Sequence, residues 1–207
     1  FNSIKVASYD CASFPLLKDI VKHYDEIVVS TGATFDAEVI HAAEILGQSN
    51  FSFLHCVTLY PTPLNEMHMS RMAWLRNLTP SVGYSDHSLV SETGLLASKA
   101  ALALGADIIE RHFTILPQKD TKDGPVSINK DQLYELSEFS RLSLSDRLVK
   151  MDNEYPNWKI VIGDNKRSLG DEELLNRDYY RGRFANKRKE TFLGERMIYN
   201  WEETPLS

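Results

Sequence analysis

Short apolar stretches alternate with helix-like stretches over residues 1–146, and this alternation constrains the fold more than any other feature. The apolar stretches are rich in β-branched and aromatic residues, as is typical of parallel strands buried on both faces. The predicted strands are Ile4–Ser8, Glu26–Ser30, Phe51–Cys56, Ser81–Tyr84 and Asp107–Phe113. The predicted helices are Phe14–His23, Phe35–Leu46, Met67–Leu78, Val90–Leu104 and Asp131–Leu148.

Five βα units fit two α/β architectures, an open doubly wound sheet or part of a (β/α)8 TIM-type barrel. A whole barrel takes roughly 250 residues, so five units would be an incomplete one. No Gly-x-Gly-x-x-Gly pattern follows a predicted strand. Its absence disfavours a dinucleotide-binding fold.

The composition changes after residue 150. Residues 151–207 hold 21 charged residues in 57, against 31 in the first 150, and five basic residues fall between Arg181 and Lys189. We predict a partial barrel domain over 1–150. For 151–207 we predict a surface linker (151–190) and then the start of a further unit, Phe192–Leu206, that is cut off.

Charge and hydropathy exclude some partners. The net charge of −6 argues against nucleic acid, because phosphate binding needs a basic face. The apolar runs are too short to span a membrane. Cys11 and Cys56 are too few for a disulfide scaffold, so we expect a reducing, cytoplasmic setting.

Polar side chains follow all five predicted strands. Ligands bind at the carboxyl ends of the strands in both candidate folds, so these residues are candidates for a site. They are Ser8 and Asp10, Ser30 and Thr31, Thr58 and Tyr60, Ser85 and His87, and His112.

His87 and His112 come at the ends of consecutive strands. Neighbouring strands lie about 5 Å apart, so the two imidazoles could share one divalent metal ion, with Asp86 and Glu110 as supporting carboxylates. The alternative is that each is a rim histidine hydrogen-bonded to a backbone carbonyl.

Hydroxyl groups and one cation form a second candidate set, consisting of Lys5, Ser8, Ser30, Thr31 and Ser85. Hydroxyls, backbone N–H groups and a lysine suit a phosphate or carboxylate. The alternative is that the hydroxyls cap the following helices. Asp123 lies in a long loop after the fifth strand, which is either a binding loop or a solvated turn.

Taken together, these motifs resemble the sialic acid synthase (N-acetylneuraminate synthase) family over about residues 3–146. Gly-Tyr-Ser-Asp-His and Glu-Arg-His-Phe-Thr, about 25 residues apart, are the most specific elements. The matching segments are Lys5–Ser8, Ser30–Gly32, His55–Cys56, Tyr60–Pro63, Gly83–His87 and Glu110–Thr114.

The resemblance implies a (β/α)8 barrel followed by a small antifreeze-like domain, with strands four to eight of the barrel present in this chain. It also implies a transferase that condenses phosphoenolpyruvate with an N-acetylated amino sugar, such as N-acetylmannosamine, for surface polysaccharide synthesis. In the family, the first three strands carry a glutamate and a lysine of the site, and the partner subunit's antifreeze-like domain lends an arginine. We therefore expect a homodimer, or pairing with the missing N-terminal half.

By resemblance, His87 and His112 bind Mn²⁺ or Mg²⁺, and Lys5, Ser8, Ser30 and Ser85 contact phosphoenolpyruvate. Tyr60 and Asp123 contact the sugar, and Asp123 lies close to the reacting centre. Two positions depart from the family pattern, because Asp10 replaces a glutamate and Thr58 an asparagine. Both face the sugar, so the substrate is left open.

Two other functions remain as hypotheses. The chain could be a non-catalytic relic or binding subunit of the same fold, which phosphate release would exclude. It could also be a metal-dependent aldolase, which would consume pyruvate in place of phosphoenolpyruvate.

Overall fold

The computed structural model describes residues 1–47 and 49–180 in full, together with the backbone of strands Ala185–Thr191 and Gly194–Tyr199. The strands are β1 (Ser3–Val6), β2 (Glu26–Ser30), β3 (Asn50–Cys56), β4 (Ser81–Asp86), β5 (Ile108–Arg111), β6 (Ala185–Thr191) and β7 (Gly194–Tyr199). The α-helices are α1 (Phe14–Ile20), α2 (Asp36–Leu46), α3 (Arg71–Leu75), α4 (Val90–Thr93), α5 (Leu96–Ala103), α6 (Lys130–Ser140), α7 (Leu144–Glu154) and α8 (Asp171–Tyr180).

The first five strands form one parallel sheet in the order β1-β2-β3-β4-β5. A doubly wound sheet reverses its strand order at a switch point, whereas a (β/α)8 barrel adds each strand beside the last. The sequential order therefore decides between the two predicted architectures in favour of the barrel type. Strands β6 and β7 pair antiparallel as a separate two-stranded sheet.

Contacts divide the chain into two compact units. The first unit comprises Phe1–Ser52 and Ser168–Ser207, and the second comprises Phe53–Arg167. In the first unit the buried apolar residues include Val6, Leu17, Ile27, Val29 and Val39, which lie on β1, α1, β2 and α2. In the second unit they include Phe53, Tyr84, Met67, Met151 and Trp158.

The five strands and most of the predicted helices are confirmed, but two predicted helices are each split. Val90–Leu104 is interrupted at Gly94, whose φ of 56° is a conformation that L side chains rarely adopt. Asp131–Leu148 is interrupted between Ser140 and Leu144. There the Ser143 hydroxyl accepts a hydrogen bond from the Asp146 backbone N–H at 3.2 Å and begins α7.

The predicted linker 151–190 contains helix α8, in which Glu173 and Arg177 are buried. A charged composition suggested a solvated segment, but these two charges lie inside the first unit. The structure does not describe the side chains of residues 181–189 or part of 192–206. The prediction that a further unit begins at Phe192–Leu206 therefore lies outside the described residues. The domain boundary at residue 150 stays a prediction. None of the helices in the part of the chain that the structure describes combines the length and the apolar composition of a membrane span.

Candidate functional site

An aromatic cluster lies in the second unit, where β3, β4 and β5 end. The ring centroids of His87 and His112 are 5.4 Å apart. The Tyr60 ring stacks on His87 at 4.0 Å and meets His112 edge-on at 6.1 Å. The structure therefore brings together three side chains that the sequence separates by up to 52 positions.

Tyr60 is held over His87 by the turn that follows it. The Tyr60-Pro61 peptide bond is cis, and the Thr62 backbone N–H donates to the His87 carbonyl oxygen at 2.9 Å. The Thr62 hydroxyl donates to the Leu59 carbonyl at 2.8 Å. This turn fixes the tyrosine ring relative to the histidine ring, while half of Tyr60 stays exposed.

His87 is buried and is held in its neutral form. Burial, followed by the charge of neighbouring His112, lowers the pKa of His87 to about 4. Its Nδ1 lies 3.4 Å from the Val57 carbonyl oxygen, and its Nε2 lies 2.8 Å from the Tyr60 hydroxyl. A carbonyl can only accept, so we assign the proton to Nδ1 and leave the Nε2 lone pair to accept from Tyr60.

The two imidazoles fit a shared metal ion. With metal–nitrogen bonds of about 2 Å, two imidazoles on one ion have centroids roughly 5 Å apart, and those of His87 and His112 lie close to that value. Neutral nitrogen is also the ligand form that a metal needs. Within the described residues, no group of three or more His, Cys, Asp or Glu side chains is arranged to hold an ion. Substrate or water would have to complete the coordination.

Asp86 and Arg111 lock the ends of β4 and β5 behind this cluster. They lie opposite each other in the strand register, and their side chains form an ion pair that is almost completely buried. Arg111 also donates to the Ser88 hydroxyl at 2.8 Å and to the Ser88 carbonyl at 2.9 Å. The carboxylate oxygens of Asp86 contact Arg111, Ser88 and Ser98. Its role as a supporting carboxylate for the two imidazoles stays a prediction.

Asp123 is brought to the cluster by the loop after β5. One of its carboxylate oxygens lies 3.8 Å from His112 Nδ1, and its side chain is half exposed. The Ser127 hydroxyl donates to the Asp123 carbonyl at 2.7 Å. Gly124 is packed so closely that a Cβ would lie 1.7 Å from the Gln118 carbonyl oxygen. This stretch is therefore a tightly packed turn beside His112.

Two further predicted site residues of the second unit are buried at the same strand ends. Thr58 is 1% exposed, and Ser85, opposite Glu110 in the strand register, is 4% exposed. Cys56 contributes a thiol 3.9 Å from His87 Nδ1. Both cysteines are reduced and buried.

The predicted hydroxyl set begins in the first unit, at the ends of β1 and β2. Ser8, Ser30 and Thr31 are all buried. The Ser8 hydroxyl accepts a hydrogen bond from the Gly32 backbone N–H at 3.2 Å. The Thr34 hydroxyl donates to the Gly32 carbonyl at 3.0 Å, so Thr34, a residue type that favours helix caps, does not cap α2. These bonds join the end of β1 to the loop that follows β2.

Lys5 and Asp10 lie in the first unit on the lining of a cavity of about 660 Å³. Asp19, His23 and Tyr24 line the same cavity. Lys5 is exposed and Asp10 is half-buried. Their predicted contacts with substrate stay predictions.

Sequence reasoning missed two residues that hold these loops, Arg111 and Arg177. Arg111 stands next to His112 and, in the sequence, is only one residue of the Glu-Arg-His-Phe-Thr motif. Arg177 lies on α8, in the segment predicted to be a linker. An arginine that directly follows a strand glutamate gives little signal by itself, but the predicted pairing of the strands indicates that Asp86 and Arg111 lie opposite each other.

Comparison with known proteins identifies the family. The model of the NeuB family matches residues 1–145. The chain belongs to the NeuB family.

Related NeuB sequences come from distant organisms. N,N'-diacetyllegionaminic acid synthase of Campylobacter jejuni is 30% identical, over 98% of this chain and 64% of its own length. N-acetylneuraminate-9-phosphate synthase of Drosophila melanogaster is 34% identical, over 83% of this chain and 44% of its own length. The chain spans about half the length of the curated relatives it matches.

Solved structures agree with the fold. The spore coat polysaccharide biosynthesis protein spsE of Bacillus subtilis superimposes on 95% of this chain with a TM-score of 0.72 at 26% identity, over 56% of that structure. The sialic acid synthetase of Leptospira borgpetersenii covers 86% of this chain with a TM-score of 0.62 at 25% identity, over 57% of that structure. The chain thus has the α/β, barrel-type fold of this family.

Proposed function

We propose that this protein is a nonulosonic acid synthase that condenses phosphoenolpyruvate with an N-acetylated amino sugar, such as N-acetylmannosamine, and releases phosphate. Membership of the NeuB family supports the reaction class, since the similar proteins from Campylobacter and Drosophila are named as acid synthases. The observation that carries the proposal is the cluster of Tyr60, His87, His112 and Asp123, which joins a metal-ligand pair to two groups able to hold a sugar.

The phosphoenolpyruvate contacts in this proposal are Lys5, Ser8, Ser30, Thr31 and Ser85. Phosphoenolpyruvate carries a phosphate and a carboxylate. Buried hydroxyls and backbone N–H groups donate to such anions without adding charge of their own. Lys5 supplies a positive charge to balance them. The Ser8–Gly32 hydrogen bond keeps two of these loops in register before substrate arrives.

His87 and His112 would hold a Mn²⁺ or Mg²⁺ ion, and the neutral state of His87 leaves its Nε2 lone pair able to bind one. Such an ion, when bound, acts as a Lewis acid on a sugar carbonyl oxygen. The Tyr60 hydroxyl, which donates to Nε2 in this structure, would then turn to the sugar. Asp123 accepts a proton from a sugar hydroxyl or returns one.

The reaction forms one carbon–carbon bond, and at C2 of phosphoenolpyruvate it replaces the carbon–oxygen bond to phosphate by one to water, whose proton goes to the former aldehyde oxygen. C3 of phosphoenolpyruvate attacks the aldehyde carbon of the open-chain sugar, water adds at C2, and the tetrahedral intermediate loses phosphate. The residues contribute mainly by holding the two reactants in line. Asp10 and Thr58, a short acid and a small hydroxyl, would shape the sugar pocket.

The test is phosphate release from phosphoenolpyruvate in the presence of Mn²⁺. N-acetylmannosamine and several diacetamido-hexoses are offered separately. One arm uses this chain, and a second uses the chain with any segment that its gene encodes ahead of residue 1. We expect release that needs both the metal and one sugar. Bound metal with no release in either arm would support the non-catalytic alternative, and consumption of pyruvate would support the aldolase.

A further inference from the structure

Helix α8, which belongs to the first unit, buries an arginine there. Arg177 is 4% exposed, and its guanidinium lies over the Phe35 ring, 4.2 Å from the centroid. One terminal nitrogen donates to the Ala33 carbonyl at 2.5 Å, and the other donates to Glu38 at 2.6 Å. Residues 139 to 144 positions apart are thereby tied by charge-assisted hydrogen bonds.

One partner of Arg177, Ala33, belongs to the turn after β2, and the other, Glu38, lies in the first turn of α2. Ala33 has a φ of 51°, a left-handed conformation that is unfavourable for a residue with a Cβ. Such a conformation persists where its surroundings impose it, and Arg177 holds its carbonyl. Glu38 accepts from the Phe35 backbone N–H at 2.9 Å with its other oxygen and so begins α2. Arg177 therefore holds the turn at one end and the start of the helix at the other.

The same helix also meets the end of β1. The Tyr180 ring stacks on Tyr9 with centroids 5.0 Å apart. Tyr9 lies between Ser8 and Asp10, and Ser8 accepts the hydrogen bond from Gly32. Helix α8 thus contacts both hydroxyl-bearing loops of the first unit.

We infer that Arg177 is a positioning residue that holds the Ser30–Thr34 loop in the conformation that binds an anion. The identification of that anion as phosphoenolpyruvate rests on the proposed function. The inference that Arg177 orders the loop is independent of it.

The argument is one of preorganisation. A hydroxyl and backbone N–H site binds well only if its donors are already aligned, because ordering a loop during binding lowers affinity. Arg177 donates to the Ala33 carbonyl and to Glu38, so it acts on the loop through the backbone of Ala33. A lysine could not replace it fully, since one ammonium does not reproduce the planar fork that reaches both partners.

The experiment compares Arg177→Met, Arg177→Lys and the double variant Arg177→Met/Glu38→Gln. Arg177→Met leaves a buried carboxylate unpaired and could fail to fold. The double variant removes that charge and keeps an amide oxygen for the Phe35 N–H. The matched control is Arg147→Met, because Arg147 also donates to backbone carbonyls, those of Leu102 and Ser140, but in the second unit.

The first measurement is amide hydrogen exchange without ligand. We expect the Gly32 N–H to exchange at least about tenfold faster in the double variant, the factor for losing one hydrogen bond to a charged group. Arg177→Lys should fall between the double variant and the unchanged protein. Arg147→Met should leave Gly32 exchange unchanged. Equal Gly32 exchange in the double variant and the unchanged protein would overturn the inference.

The second measurement is the affinity for phosphoenolpyruvate, by calorimetry, on the same variants. We expect the Kd to rise about tenfold in the double variant, and to stay constant in Arg147→Met. An unchanged Kd in the double variant would overturn the positioning role. The two proposals can fail separately. If the unchanged protein does not bind phosphoenolpyruvate while Gly32 exchange still rises in the Arg177 variants, the proposed function is wrong and the positioning of the loop by Arg177 is supported.

Discussion

Two buried arginine–carboxylate pairs hold loops in the two units, and they differ in how the chain forms them. Asp86 and Arg111 face each other across adjacent strands. Glu38 and Arg177 come from segments 139 positions apart. In both pairs the arginine also donates to a backbone carbonyl, that of Ser88 or of Ala33.

The difference shows which contacts hold each loop in a single conformation. In the second unit, strand pairing already brings Asp86 and Arg111 together, so the sheet itself places His87 and His112. In the first unit, the loop after β2 is held by helix α8, which is distant from it in the sequence and is not brought to it by strand pairing. The imidazole cluster should therefore be intrinsically rigid, and the hydroxyl loops should respond to changes in α8.

The largest expected effect concerns catalysis in the second unit. His87→Ala and His112→Ala should each reduce phosphate release to the level seen without metal, because a single remaining imidazole binds a divalent ion poorly. Release is measured with and without Mn²⁺, and bound Mn²⁺ by electron paramagnetic resonance. His41→Ala, on the surface of α2, is the matched control. Full activity in either strand-end variant would contradict the metal assignment.

The next effect is on the free energy of unfolding. Asp86→Asn should lower it by about 3–5 kcal/mol, because Arg111 then keeps a buried charge without a partner. Chemical denaturation measures this loss. The double variant Asp86→Asn/Arg111→Met should lose less than Asp86→Asn alone. If the single change costs no more than Ser98→Ala, which removes one hydrogen bond to Asp86, the pair is not what holds the strand ends.

A third effect depends on pH. Burial lowers the pKa of His55 to about 3, and its Nε2 lies 2.6 Å from the Met67 carbonyl. Above pH 6.5 the imidazole is neutral in both states. Below it, the unfolded chain takes up a proton that the folded chain refuses until about pH 3, so stability falls as pH falls through this window.

The slope from this one group is about 1.4 kcal/mol per pH unit. His55→Gln keeps a donor for Met67 but cannot titrate, so its unfolding free energy should fall less steeply between pH 6 and 4.5, as followed by urea denaturation. His87, with its own lowered pKa, leaves part of the slope in place. Identical slopes for the variant and the unchanged protein would show that folding does not lower the pKa of His55.

The smallest effect is on binding in the first unit. Ser8→Ala removes the acceptor of the Gly32 N–H, and should raise the KM for phosphoenolpyruvate by about tenfold with the sugar KM nearly constant. Steady-state kinetics with each substrate varied in turn measure the two constants. A rise confined to the sugar KM would show that Ser8 affects sugar binding and would contradict its assignment to phosphoenolpyruvate.

Strands and their polar ends could be predicted because each is a local pattern. The alternation of apolar strands and helices predicted the five strands, and parallel pairing predicted that His87 and His112 would be neighbours. Asp123 was brought to His112 by a turn whose packing at Gly124 has no local signature.

Arg177 could not be found from the pattern, since its charged neighbours make α8 look solvated and its partners lie over 130 positions away. The same limit explains Thr34. Its residue type favours a helix cap, but a nearby carbonyl in the folded loop takes its hydroxyl instead. Both failures arise where a tertiary contact outweighs a local preference.

The first unit is assembled from the two ends of the chain, Phe1–Ser52 and Ser168–Ser207. A ribosome makes these segments in that order at about 5–20 residues per second. Several seconds therefore pass between the synthesis of Phe1–Ser52 and that of Arg177. During that interval Glu38 lacks its cation and the turn at Ala33 lacks its anchor, whereas the second unit holds all its own residues within one continuous stretch. The order of synthesis therefore favours completion of the second unit before the first.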